Sequence, residues 1–206
     1  MAALVGSLAV PVFVPACAPA KEPPAAPPAA AAVIESAAGL STVTGTAASG
    51  AVVSLTPTTA REFPLPEGPA ILDQYGKQFV PGLLAVRVGQ AVEFRNSDEF
   101  GHNVIVNRRS TGASVFNVSL DTQQAHTHVF ERAGEYAVTC DIHPGMMATV
   151  FATTSPFTVQ VGPSGTFAIR DVPPGTYTAA LVPPSGGLRE ENVVVSGPQT
   201  VLKLTP

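Results

Sequence analysis

The chain has 206 residues, and 11 Lys plus Arg set against 15 Asp plus Glu leave only 13% of it charged, where about 25% is usual. So few cations on a net charge of −4 provide no basic stripe that could follow a phosphate backbone, which excludes nucleic-acid binding. A 45% hydrophobic fraction broken by 21 Pro and 18 Gly excludes a helical bundle and describes short strands joined by turns.

In chain order, residues 1–16 carry no charge and are mostly apolar, as in the core of a secretory signal, although the basic start is missing. Pro11 and Pro15 interrupt a stretch already too short to span a bilayer, which takes about 20 apolar residues. It ends Val14-Pro15-Ala16-Cys17, which resembles a bacterial lipobox, with Pro15 an unusual occupant. That resemblance implies a signal segment over 1–17 and a lipid on Cys17. Residues 18–38 are Pro/Ala-rich and lack an apolar face, as an extended spacer does. With no lipid, Cys17 is an incidental residue of the leader.

From Gly39 onward β-branched-rich runs follow one another between Gly, Pro, Asn and Asp. They predict strands over 42–44, 51–55, 83–88, 91–94, 103–106, 115–120, 126–130, 136–140, 149–152, 157–161, 166–169, 176–181, 192–195 and 200–204. No long segment shows the 3.6-residue period of an amphipathic helix. The fold class expected is all-β, built from sandwiches or barrels.

Chemistry concentrates in Thr139-Cys140-Asp141-Ile142-His143-Pro144-Gly145-Met146-Met147, where a thiol, an imidazole and a thioether share one short loop with a Pro-Gly turn. Upstream, Gly101-His102-Asn103 offers a second imidazole. A lone Cys or His at a strand end is usually packing; the joint spacing is what points to a metal. Two His nitrogens and a thiolate with an axial Met make a blue-copper site, and the soft thioether favours copper over zinc. Only Cys140 lies in the loop, which removes a dinuclear copper centre, and Thr139 and Asp141 flank it where a multicopper enzyme would place His. The neighbouring Met147 points away by strand alternation and reads as packing or surface.

Over roughly 69–151 these residues, together with Phe79-Val80-Pro81, residues 88–94, Asn96-Ser97-Asp98 and residues 130–136, resemble the cupredoxins, the plastocyanin and amicyanin group of blue-copper proteins. The resemblance implies a Greek-key sandwich holding one type 1 copper. His102, Cys140 and His143 would be its equatorial ligands and Met146 its axial ligand. It also implies that Asn103 ties the His loop to the Cys loop, at Thr139, and that a redox protein docks transiently on an apolar surface around His143. Asp141 is the only charged residue between Ala137 and Ile169, which agrees with such a surface. His126 and His128, two apart on one strand face, could chelate a weak secondary metal, or one of them simply packs beside Phe130.

Residues 163–178, with Gly165-Thr166-Phe167 and Pro173-Pro174-Gly175-Thr176-Tyr177, resemble the later half of a carboxypeptidase regulatory-like domain, a small transthyretin-like sandwich. Its earlier half resembles residues 43–55. The domains expected are therefore a split regulatory-like module over 39–60 and 154–206, with the cupredoxin over 61–153 inserted into it; the alternative is tandem order. The function these resemblances imply is a single-electron carrier, not an enzyme, held in the bacterial periplasm or on the outer cell surface by a lipid anchor. A copper storage or delivery protein and an interaction scaffold with a degenerate site are the rivals.

Overall fold

The computed structural model describes residues 39–204, and all regular structure there is strand. The leader, Cys17 and the Pro/Ala spacer lie outside the described residues. Near the start run β1 (Ser41–Thr46) and β2 (Val52–Pro57). The middle of the chain forms β3 (Ala70–Gln74), β4 (Phe79–Val80), β5 (Leu83–Arg87), β6 (Ala91–Asn96), β7 (His102–Arg108), β8 (Ser114–Leu120), β9 (Ala125–Val129), β10 (Gly134–Thr139) and β11 (Met147–Thr153). Then come β12 (Thr158–Gln160), β13 (Thr166–Val172), β14 (Gly175–Val182), β15 (Arg189–Val195) and β16 (Gln199–Lys203).

The middle strands make two sheets, β5-β11-β10-β7-β8 and β4-β3-β6-β9. Alternation explains their facing: in β6, Val92, Phe94 and Asn96 are buried while the residues between them are not. Val92 and Phe94 join Leu72, Val104, Val106, Phe130, Val138 and Val150 in one core. The strand signals miss β3 and β4. Ala-Ile-Leu-Asp-Gln is poor strand sequence, and β3 exists because it pairs in parallel with β6, Ala70 opposite Val92 through Gln74 opposite Asn96, with Leu72 fully buried.

The remaining strands form sheets β13-β1-β16 and β12-β2-β14-β15. β1 pairs antiparallel with β13 and parallel with β16, and β2 lies between β12 and β14, so strands from before and after the middle segment share both sheets. β2 and β14 each carry an unbroken run of buried residues, Val52 to Leu55 and Ala179 to Val182. The reason is burial on both faces. Val53, Leu55, Ala179 and Leu181 enter a second core with Val43, Phe167 and Tyr177, whereas Val52, Ala180 and Val182 meet Leu83 and Phe151 of the middle segment. Polar contacts add to that seam: Ser54 Oγ lies 3.2 Å from Thr153 Oγ1, and the Glu135 carboxylate accepts the Gly187 and Leu188 amides at 2.9 and 3.0 Å.

The other flank of the middle sandwich is closed by aromatic rings. β8 and β9 are the last strands of their sheets, and Phe116 of β8 packs against His126 and His128 at ring-centroid distances of 4.8 and 4.9 Å. His128 also meets Phe130 edge-on at 4.8 Å. Burial first, then the charge of His126, hold the His128 imidazole below its ordinary value of 6.5, while Glu131 opposes them.

Two measurements check this architecture. A methyl group on Gly45 would stand 2.5 Å from the Leu202 carbonyl oxygen and 2.6 Å from the Phe167 ring. Gly45→Ala should therefore cost about 1–3 kcal/mol in denaturant unfolding, because β1 is clamped between two strands. For His128, the unfolded chain takes up a proton that the folded one resists, so stability falls as pH drops through the ordinary histidine value of 6.5. His128→Gln should flatten that part of the pH–stability curve, and an unchanged curve would show that the imidazole titrates freely.

Candidate metal centre

Backbone pairing delivers the site. β7 and β10 are antiparallel neighbours with Ile105 opposite Thr139, so His102 at the start of β7 and Cys140 just past β10 reach the same end of the sandwich. Asn96 shapes the approach to His102: its Oδ1 accepts the Asp98 amide at 3.0 Å, and its Nδ2 donates to the Phe100 and Leu120 carbonyls at 2.8 and 3.0 Å. The segment from Cys140 to Met146 joins β10 to β11 as a closed loop. The Cys140 amide donates to the Met146 carbonyl at 3.2 Å, and the Met146 amide to the His143 carbonyl at 3.3 Å. Gly145 has φ +88°, a left-handed conformation that explains glycine after Pro144.

Within that frame the Nδ1 atoms of His102 and His143 stand 3.0 Å apart and Cys140 Sγ lies 3.9 Å from His102 Nδ1. All three ligand atoms fall within 4.8 Å of one another, the one cluster of its kind among the described residues. His102, Cys140 and Met146 are buried, and His143 is half-buried. Cys140 is a free thiol. Two imidazole nitrogens and a thiol converge on one point, close enough for one ring nitrogen to donate to the other or for both to ligate one ion. This donor set suits a soft, thiolate-preferring metal. Burial first, then the electrostatic influence of His102 and Lys77, hold the His143 imidazole below its ordinary value, and Asp98 opposes them.

The surroundings partly differ from expectation. Asn103 does tie the two loops, but its Oδ1 accepts the Asp141 amide at 3.0 Å, not Thr139. Thr139 is still inside β10, its backbone paired with Ile105 on one side and Met147 on the other. Met147 is 67% exposed against 2% for Met146, in line with strand alternation. His126 and His128 lie in the aromatic flank and are not brought to the cluster.

Two side chains near the site were not singled out from sequence. Asp98 Oδ2 lies 2.8 Å from His102 Nε2, and the carboxylate also accepts the Gly76 and Lys77 amides at 2.7 and 3.0 Å. Phe100 packs against both imidazoles, at 5.2 Å from His102 and 5.4 Å from His143, with Lys77 Nζ 5.2 Å over its ring. The ligand end is thus less purely apolar than residues 137–169 alone imply, because the β3–β4 turn adds Lys77. A carboxylate four residues before a candidate His in a polar turn was the available signal for Asp98.

Comparison with known proteins places this geometry. The family model for copper binding proteins of the plastocyanin/azurin family matches residues 72–153. The comparison with curated proteins gave no match. Among solved structures, the Cu-containing nitrite reductase of Thermus scotoductus SA-01 is 26% identical with a TM-score of 0.39, covering 48% of this chain and 25% of that one. The match therefore spans about a quarter of the reductase. An amicyanin variant in its Cu(I) form is 24% identical with a TM-score of 0.39, covering 48% of this chain and 99% of its own. A purple cupredoxin from Nitrosopumilus maritimus is 27% identical with a TM-score of 0.36, covering 41% and 99%. The family match encloses His102, Cys140, His143 and Met146, and residues 72–153 are accordingly a copper-binding cupredoxin domain of the plastocyanin/azurin family.

Proposed function

We propose that the chain is a single-electron carrier with one type 1 copper bound by His102, Cys140 and His143, and with the Met146 thioether on the axis. Bound copper would supply a one-electron couple, and the chain's part is to hold one geometry for both oxidation states. The observation that carries the reading is the unequal exposure of the ligands: Cys140 and His102 are buried while His143 is half-buried, so one ligand gives a partner access to the metal. Around it Phe100, Ile142 and Met147 are 40%, 52% and 67% exposed, an apolar rim on which a redox protein could dock transiently. With Met146, buried in the same loop, as the fourth ligand of one copper, the set suits a carrier and not an enzyme that needs an open coordination position.

The flanking sheets read as the split regulatory-like module, supported by the pairing of β1 and β2 with β12, β13, β14 and β16. A periplasmic or outer-surface location with a lipid on Cys17 rests on the leader sequence and the spacer after it. Mass spectrometry of protein from membranes should find diacylglyceryl on Cys17 as the first residue; a peptide crossing Ala16-Cys17 would remove the anchor.

Cu(II) added to the apo-protein should produce the intense visible band of a thiolate–copper centre at one copper per chain, with a reversible one-electron wave. Cys140→Ser should abolish the colour. Colourless, tight Cu(I) binding without a reversible wave would decide for storage or delivery, and no copper binding would decide for a scaffold.

A further inference from the structure

Behind His102, on the side away from the cluster, sits a carboxylate that the ligand set does not include. Asp98 is 8% exposed, and both its oxygens are engaged. Oδ1 accepts the Gly76 amide at 2.7 Å; Oδ2 accepts the Lys77 amide at 3.0 Å and stands 2.8 Å from His102 Nε2. Gly76 and Lys77 have φ of +62° and +57°, consecutive left-handed residues in the turn between β3 and β4 that aim two amides at one anion. Lys77 occupies a region that non-glycine residues rarely adopt, and the contact with Asp98 offers a reason to hold it there.

Backbone amides can only donate, so Asp98 is an acceptor in both of those bonds. The third bond then runs from His102 Nε2–H to the carboxylate, which leaves Nδ1 bare and directed at Cys140 Sγ and His143 Nδ1. No hydrogen-bonding side chain among the described residues backs the other ring nitrogen of His143, whose ring rests on Phe100.

We propose that Asp98 is the positioning residue of the copper centre: held by the Gly76–Lys77 turn, it fixes the tautomer and ring orientation of His102 and, through its negative charge, makes Nδ1 a stronger donor that favours Cu(II) over Cu(I). This rests on the copper reading for its redox half and on hydrogen-bond geometry alone for its tautomer half. Partners of this kind behind a ligating His typically change metal affinity by about 10- to 100-fold when removed.

The test uses the full chain and the variants Asp98→Asn, which keeps the shape and loses the charge, and Asp98→Ala, which loses both. In copper-free wild type, nitrogen-15 NMR should show His102 with the proton on Nε2 and Nδ1 bare; a proton on Nδ1 overturns the proposal without any variant. Asp98→Ala should release the ring into mixed tautomers, and Asp98→Asn should keep the tautomer. In the copper-loaded variants, Cu(II) affinity should fall about 10- to 100-fold, and Cu(I) affinity by less. The reduction potential should then rise by about 59 mV for each tenfold difference between the two. An unchanged potential and visible band in Asp98→Asn would overturn the electronic role, and an unchanged tautomer in Asp98→Ala the positioning role. Should Asp98→Ala fail to fold, Asp98→Asn and the wild-type spectrum still decide. If the wild-type tautomer is as stated but copper gives no colour, the carrier reading fails and the positioning of His102 stands.

Discussion

The antiparallel pairing of β7 with β10 is the constraint on which the copper centre depends. With Ile105 opposite Thr139, the residue three before one partner and the residue just after the other arrive at the same end of the sheet, and these are His102 and Cys140. The pairing of Thr139 with Met147 then sets how far the intervening loop can travel before it must return to β11. Seven residues, Cys140 to Met146, have to make that excursion, and the two backbone bonds inside the loop leave His143 little choice of place. Asn103 adds a side-chain tie from β7 to Asp141 across the same gap. The metal geometry is thus a property of strand register, and a slip of one residue in β7 or β10 would turn the ligand to the other face.

Rigidity at that end is supported from the rest of the chain. β11 carries Phe151 into the seam formed with Val52, Ala180 and Val182, while Ala148 and Val150 of the same strand stay in the core beneath the loop. β2 and β14 are the strands that make this possible, since each buries both faces. The flanking sheets therefore brace the strand that leaves the ligand loop, and do not hang from it as a separate bead.

What could be read from the residues follows the range of the interactions involved. The Cys140, His143 and Met146 arrangement is local, so seven positions and a Pro-Gly turn reveal it. β2 and β14 are legible as apolar runs but their two-sided burial is not, because an apolar run does not say what lies on each face. β3 escaped notice because its five residues have no strand preference, and it is made by its partner β6. Asp98 belongs to the family-like stretch, but its contact is not legible for the same reason: the amides that hold it belong to the turn after β3, some twenty residues earlier in the chain. Asn103 is legible as a link between loops but its partner is not, since Thr139 remains in the ladder while the Asp141 amide, just past Cys140, turns toward β7.

These contacts make the two imidazoles chemically unequal although both offer Nδ1 to the same point. His102 is enclosed and is gripped from behind by a carboxylate whose own position is set by two amides. His143 is half-buried, its ring lies against Phe100, and the Lys77 ammonium stands over that same Phe100 ring. One imidazole is enclosed and backed by a carboxylate, and the other is half-buried and rests on an aromatic ring, so the same residue type meets two different environments at one point. In a chain with so few charges, it matters that Lys77 serves both sides. Its amide helps hold Asp98 behind His102, and its ammonium caps the Phe100 ring beside His143. The β3–β4 turn is therefore the element through which a change at the protein surface would be felt at the buried ligand, without any movement of the strands that carry the ligands themselves.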